Sequence, residues 1–191
     1  MHRVCVFAGS NAGAREGYLL AARELGAELA RRGHGMVYGG AGRGLMGACA
    51  DAALAGGAEV IGVLPRALSS REIAHPGLTG MRIVESLHER KAVMSALSDS
   101  IVALPGGCGT LDELFEAITW AQLGLHQKPI GVLDADGYWA PLLALLEHMN
   151  AEGFVRPALR IARAQTASAL LDQLQVAPAS AVSPPGPRPK P

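Results

Sequence analysis

The chain has 191 residues, 49% of them hydrophobic, with 17 basic and 17 acidic side chains and a formal net charge of zero. That length suits one domain with a sizeable core of its own. The balanced composition excludes a disordered chain and a nucleic-acid binder that works by bulk charge, and no apolar stretch is long enough to span a membrane.

The start of the chain, Met1-His2-Arg3-Val4-Cys5-Val6-Phe7, gives way to Gly9-Ser10-Asn11 after a very short apolar run. This pattern lacks the hydrophobic region of a secretory signal. The three cysteines, Cys5, Cys49 and Cys108, are odd in number and show no paired spacing, which suits a reducing compartment. A cytoplasmic protein is expected.

Along the chain, short apolar runs alternate with longer amphipathic stretches, the pattern of strand and helix units around a mostly parallel sheet. Strands are predicted over 4–8, 35–38, 59–64, 81–84, 100–104, 129–133 and 160–164. Helices are predicted over 16–32, 45–55, 87–98, 110–123, 139–152 and 168–175. The strands around 100–104 read as continuous apolar runs, as expected when helices cover both faces. The predicted fold class is α/β: a single doubly wound, Rossmann-like domain over residues 1–175, with ligands at the carboxyl ends of its strands. The stretch 65–80 has no clear period and is predicted to be a loop that folds over something. Six of the 12 prolines fall in the last 15 residues, so 176–191 is predicted to be a disordered tail without catalytic importance.

Ten of the 24 glycines lie between Gly33 and Gly62. They include Gly42-Arg43-Gly44-Leu45-Met46-Gly47, a formal GxGxxG between a strand and a helix. A dinucleotide site also needs an acid at the end of the next strand, and the only acid there, Glu59, sits at the wrong end. NAD is therefore disfavoured. Two readings remain for these glycines: exposed N–H groups that suit an anion, or tight turns and close helix packing alone.

A second glycine turn, Pro105-Gly106-Gly107-Cys108-Gly109-Thr110, follows strand 100–104 directly and opens a helix. Its glycines allow close approach of a ligand to free N–H groups, giving a phosphate cradle without a lysine. The triphosphate loop GxxxxGK[ST] is absent. Thr110-x-x-Glu113 reads most simply as a capping box. A carboxylate one turn into a phosphate-binding helix is nonetheless repelled by the phosphate, which suggests a task facing the sugar.

Other patterns carry less. His88-Glu89 begins an HExxH motif, but position 92 is alanine, so no zinc site is expected. Cys108 lies near a helix start, yet no histidine is paired with it by sequence. Trp120 and Trp139 read as core or interface residues. The pair Arg90-Lys91 would ordinarily be a solvated basic face, but lysine is scarce here, and a guanidinium beside a phosphate cradle suits bidentate anion recognition.

Together, Gly39-Gly40-x-Gly42-x-Gly44-Leu45-Met46-Gly47, His88-x-Arg90-Lys91-x-x-Met94, Pro105-Gly106-Gly107-x-Gly109-Thr110-x-x-Glu113 and Ile118-Thr119-Trp120-Ala121-Gln122-Leu123-Gly124 resemble the LONELY GUY family. Its members are cytokinin riboside 5'-monophosphate phosphoribohydrolases, often mislabelled lysine decarboxylases. The resemblance implies hydrolysis of an N-glycosidic bond in a nucleoside 5'-monophosphate, with release of an adenine-type base and ribose 5-phosphate. It implies Arg90 and Glu113 as the catalytic pair. It further implies Glu72, Lys91, Gly107, Cys108, Gly109, Thr110, Leu111, Asp112 and Thr119 as substrate contacts, with Ser10, Asn11, Gly42 and Gly44 as candidates for lining the same cleft. No metal or cofactor is expected, and the partners implied are the small nucleotide and a second copy of the chain in a homodimer through helices 87–98 and 113–123. An AMP nucleosidase with the same machinery and a nucleotide- or cofactor-binding carrier without turnover remain alternatives.

Overall fold

The computed structural model describes residues 1–68, 74–155 and 160–175. Within them the chain runs β1 (Arg3–Phe7), α1 (Glu16–Arg31), β2 (Gly35–Tyr38), α2 (Gly44–Ala55), β3 (Val60–Pro65), β4 (Gly80–Val84), α3 (Leu87–Ala96), β5 (Ser100–Ala103), α4 (Cys108–Gln122), β6 (Ile130–Leu133), α5 (Ala140–Ala151), β7 (Ile161–Ala164) and α6 (Ala167–Gln173). The strands form one sheet in the order β4-β3-β2-β1-β5-β6-β7, and every neighbouring pair is parallel. The chain winds outward from β1 to β4, then returns to the other side of β1 and winds outward again to β7. Its topological switch point therefore lies between β1 and β5, paired from Val4↔Ser100 to Phe7↔Ala103. A ligand crevice belongs at the carboxyl ends of those two strands.

Two apolar layers hold the helices to the sheet. On one face Leu25 and Leu29 of α1, Leu45 and Cys49 of α2 and Leu170 of α6 pack against Val4, Val6, Tyr38 and Val102. On the other, Met94 of α3, Leu114 and Ile118 of α4, and Trp139 pack against Cys5, Val37, Ile101 and Val132. Alternate residues of β1 and β5 thus point to opposite layers, as the strand repeat demands. Burial pushes the Cys49 thiol up to about 12 and raises Cys5 further still, so both behave as inert core residues.

The end of α1 is fixed by charge. Arg32, almost wholly buried, donates to Glu28 at 2.7 Å and to Asp172 of α6 at 2.8 Å. The hydrogen bond from Arg31 holds the Glu28 carboxyl down to about 2 against the opposing effect of partial burial, with Arg32 adding to it. The folded-state value lies below the unfolded one, so this contribution to stability is complete above the ordinary 4.5 and is lost as the pH falls toward 2. Glu28→Gln is expected to flatten the decline of the urea midpoint across that window. An acid-side slope equal to wild type, followed by circular dichroism, would rule this out.

Three local features depart from the sequence expectations. Inside the stretch 65–80, β3 runs on through Pro65, Arg66–Leu68 forms a short 3-10 turn, and β4 begins at Gly80. Helix α4 starts at Cys108, two residues before the predicted start. A turn at Ala135–Gly137, with φ of 52° at Asp136 and 73° at Gly137, separates β6 from α5. This turn is held from two sides. The fully buried Asp134 accepts hydrogen bonds from the Trp139 N–H at 2.7 Å and from Arg163 Nε at 2.7 Å, and Arg15 donates to the Asp136 carbonyl at 3.1 Å. The central part of the expected covering loop and the expected tail lie outside the described residues.

Candidate active site

A cavity of about 480 Å³ opens over the carboxyl ends of β1 and β5. Its floor joins the loops that follow the two strands, for the Gly9 N–H donates to the Pro105 carbonyl at 3.0 Å. One wall is Gly9-Ser10-Asn11, Gly13 and Tyr18, and another is Pro105 through Thr110, with Arg90, Glu113 and Tyr138 completing the enclosure. Helix α4 starts at the rim with Gly107 as its N-cap, and no side chain caps it. Among the described residues the N–H groups of Cys108, Gly109 and Thr110 meet no acceptor, and a Cβ added at Gly107 or Gly109 would touch nothing. An open helix start of this kind carries partial positive charge and suits an anion.

The glycines at α2 do different work. The N–H groups of Leu45 and Met46 both donate to the Gly9 carbonyl, at 3.0 and 3.3 Å, and that of Gly47 to Arg43 at 3.0 Å. These donors are already used within the protein. Gly44 has φ of 61°, and a Cβ there would lie 2.3 Å from the Ser10 carbonyl carbon. The GxGxxG therefore packs α2 against the β1 loop, and of the two readings left by the sequence the packing one describes it. Glu59, the acid at the wrong end of β3, is paired with Arg3 at 2.7 Å.

Thr110 is the third residue of α4 and Glu113 the sixth, so the T-x-x-E pattern does not form a capping box. Glu113 instead lines the cavity. Its carboxylate stands 3.8 Å from Arg90 Nη2, with side-chain exposures of only 13% and 11%. Arg90 Nε is buried without a hydrogen-bond partner among the described residues, a costly state for a charged donor that a ligand can relieve. The guanidinium reaches this place because Gly39 has no side chain: a Cβ at Gly39 would lie 1.9 Å from Arg90 Nη2.

Residues 46–174 match the model of a protein family described as possible lysine decarboxylase. A probable cytokinin riboside 5'-monophosphate phosphoribohydrolase of Oryza sativa subsp. japonica is 50% identical over 175 residues, covering 91% of this chain and 78% of the relative. A cytokinin riboside 5'-monophosphate phosphoribohydrolase of Arabidopsis thaliana is 47% identical over 175 residues, covering 91% and 82%. The chain belongs to that phosphoribohydrolase family. Among solved structures, the molybdenum cofactor carrier protein of Chlamydomonas reinhardtii superposes with a TM-score of 0.70 over 92% of this chain and 98% of its own, at 23% identity. That likeness establishes the shared fold and nothing further.

Within this phosphoribohydrolase fold the residues singled out from sequence do not all fall in one place. Arg90, Glu113, Gly107, Cys108, Gly109, Thr110, Ser10 and Asn11 line the cavity, whereas Gly42 and Gly44 do not. Lys91, Leu111, Asp112 and Thr119 line a neighbouring open groove between α3 and α4, with Cys108 common to both. Lys91 faces away from Arg90 because its ammonium is held by Glu116 at 2.7 Å and Asp112 at 3.0 Å. Burial acts to lower its pKa, but those carboxylates outweigh it and leave it raised. Glu72 lies outside the described residues. Tyr18, Tyr138 and Met46 line the cavity without having been singled out. The position of Tyr138 just beyond the carboxyl end of β6 was the available signal.

Proposed function

We propose that this protein hydrolyses the N-glycosidic bond of cytokinin riboside 5'-monophosphates, and of AMP, to give the free adenine-type base and ribose 5-phosphate. The observation that carries the reading is one cavity holding an open helix start for the phosphate and, five residues after that start, a nearly buried carboxylate paired with a guanidinium. The 5'-phosphate seats on the N–H groups of Cys108, Gly109 and Thr110 as a remote handle. This places the ribose toward Glu113, whose negative charge stabilises the oxocarbenium character that develops as the bond to the base stretches. Water forms the new bond to the anomeric carbon and gives its proton to Glu113. The electron pair of the broken bond leaves with the base, which takes up a proton from solvent as Glu113 gives back the one it received, while Arg90 holds the sugar in register and stabilises charge on the departing ring.

The family label of lysine decarboxylase does not fit these residues. A pyridoxal enzyme needs a lysine amine free to form a Schiff base. Among the described residues only Lys91 and Lys128 are present. Lys91 is ion-paired and Lys128 donates to the Ser95 carbonyl, and neither lines the cavity.

The same reading includes a cytoplasmic homodimer. Its support is the open groove of Leu111, Phe115 and Trp120 between α3 and α4, together with the exposed Leu87 and Leu123. No helix among the described residues is long and apolar enough to cross a membrane. Light scattering on the eluting protein reads the mass, and a monomer at micromolar concentration would remove the dimer. For the activity, chromatography of reactions with AMP and with isopentenylated AMP is expected to show free base together with ribose 5-phosphate. Binding of both nucleotides without either product would favour the carrier instead.

A further inference from the structure

The Gly106–Gly107 peptide is the weak point of the phosphate cradle. Its two flanking residues lack a Cβ, so no side chain of their own opposes rotation of the peptide plane, and the Gly107 side of it is open space. In a trans peptide the carbonyl and the following N–H point to opposite sides. One orientation gives the cradle the Gly107 N–H, and the other puts the Gly106 oxygen, a partial negative charge, on that side. Such a carbonyl would repel the phosphate that the neighbouring N–H groups attract.

Among the described residues the Gly106 carbonyl accepts only from the Tyr138 hydroxyl. Tyr138 is itself well fixed. It follows the turn whose left-handed Asp136 and Gly137 are braced by Asp134 and Arg15. Its ring also meets Tyr18 and Trp139 edge-on, with centroids 5.6 and 5.1 Å away. The hydroxyl therefore comes from a rigid support on the β6 side and reaches across to the glycine turn after β5.

We propose that Tyr138 is a positioning residue for phosphate recognition: by holding the Gly106 carbonyl it locks the Gly106–Gly107 peptide in the orientation that accepts an anion. This rests on the phosphoribohydrolase reading for the identity of the ligand, but not on turnover. The ring remains in Tyr138→Phe, so packing against Tyr18 and Trp139 is kept and only the lock is removed.

The test compares ribose 5-phosphate with ribose as ligands of wild type and Tyr138→Phe by calorimetry. The variant is expected to bind ribose 5-phosphate roughly three- to tenfold more weakly, the scale of one hydrogen bond, with its weak affinity for ribose unchanged. In turnover, KM for AMP should rise by a similar factor and kcat should stay within about twofold. Equal affinity of the two proteins for ribose 5-phosphate, or equal weakening toward both ligands, would overturn the lock. A second measurement needs no variant. In wild-type amide spectra the Gly107 N–H is expected to move downfield on titration with ribose 5-phosphate, and a silent Gly107 would overturn the proposal even if Tyr138→Phe failed to fold. Absence of nucleotide cleavage by the wild type would sink the hydrolase reading while leaving both binding measurements decisive for the lock.

Discussion

Glu113→Gln is expected to lose turnover of AMP by about 10²- to 10⁴-fold while still binding it, the range associated with removal of a positioned acid–base group. The amide is nearly isosteric but neither carries charge nor takes a proton from water. Glu113 sits 3.8 Å from Arg90 Nη2, so neutralising it also removes the partner of a guanidinium that is itself almost buried. A modest loss of thermal stability should accompany the catalytic loss. Binding should persist because the N–H groups at the start of α4, the proposed phosphate handle, are untouched. Turnover within about tenfold of wild type, in a variant with an unchanged circular dichroism spectrum, would dismiss Glu113 from the chemistry.

Gly39→Ala is the second large effect, and it separates activity from stability more sharply. The new methyl would lie 1.9 Å from Arg90 Nη2, 3.0 Å from Cζ and 3.3 Å from the Met46 sulfur. The atoms in the way are the far end of a flexible side chain, so the guanidinium moves aside and the fold survives. Gly39 is not among the positive-φ glycines, so alanine brings no backbone strain and should lower the entropy of the unfolded chain. The expected outcome is a midpoint of unfolding near that of wild type and a kcat/KM reduced by about 10²-fold, since displacement by 1 Å of a group that orients a reacting centre costs that much. In the Arg90→Ala background the same substitution should add almost nothing, because the clash has lost its object. Additive losses in the double variant would show that Gly39 acts by some other route.

The strands and most helices could be read directly because each is an uninterrupted period in the sequence: the apolar runs of β1, β3 and β5 are buried along their length apart from Arg3. The start of α4 was misplaced for an intelligible reason. Gly107 and Gly109 argue against a helix by propensity, and Thr110 is the first residue that resembles a cap, yet the tight junction with β5 lets the helix begin among the glycines. The fate of the α2 donors was hidden because their acceptor, the Gly9 carbonyl, lies far away in sequence. Adjacent in sequence, Arg90 and Lys91 project from different sides of α3, and only the positions of Gly39 and Glu116 decide which of them reaches the cavity. Tyr138 carries no motif, and its proposed role depends on contacts with Tyr18, Trp139 and Gly106 that three separate segments bring together.

The pairing of β1 with β5 joins Val4 to Ser100, which has a consequence during synthesis. At about 5 to 20 residues per second, the loop after β1 leaves the ribosome several seconds before the strand that must stand beside it. Throughout that interval the nascent chain holds half of a binding cleft. A nucleotide gives mass-action stabilisation only to a state that binds it, so cellular substrate cannot rescue a chain stalled before α4, whereas it protects the finished protein. Truncation series and ligand-protected proteolysis on stalled chains should show that protection switching on sharply once residues through Glu113 are free to fold, and a gradual onset would mean that the first half binds by itself.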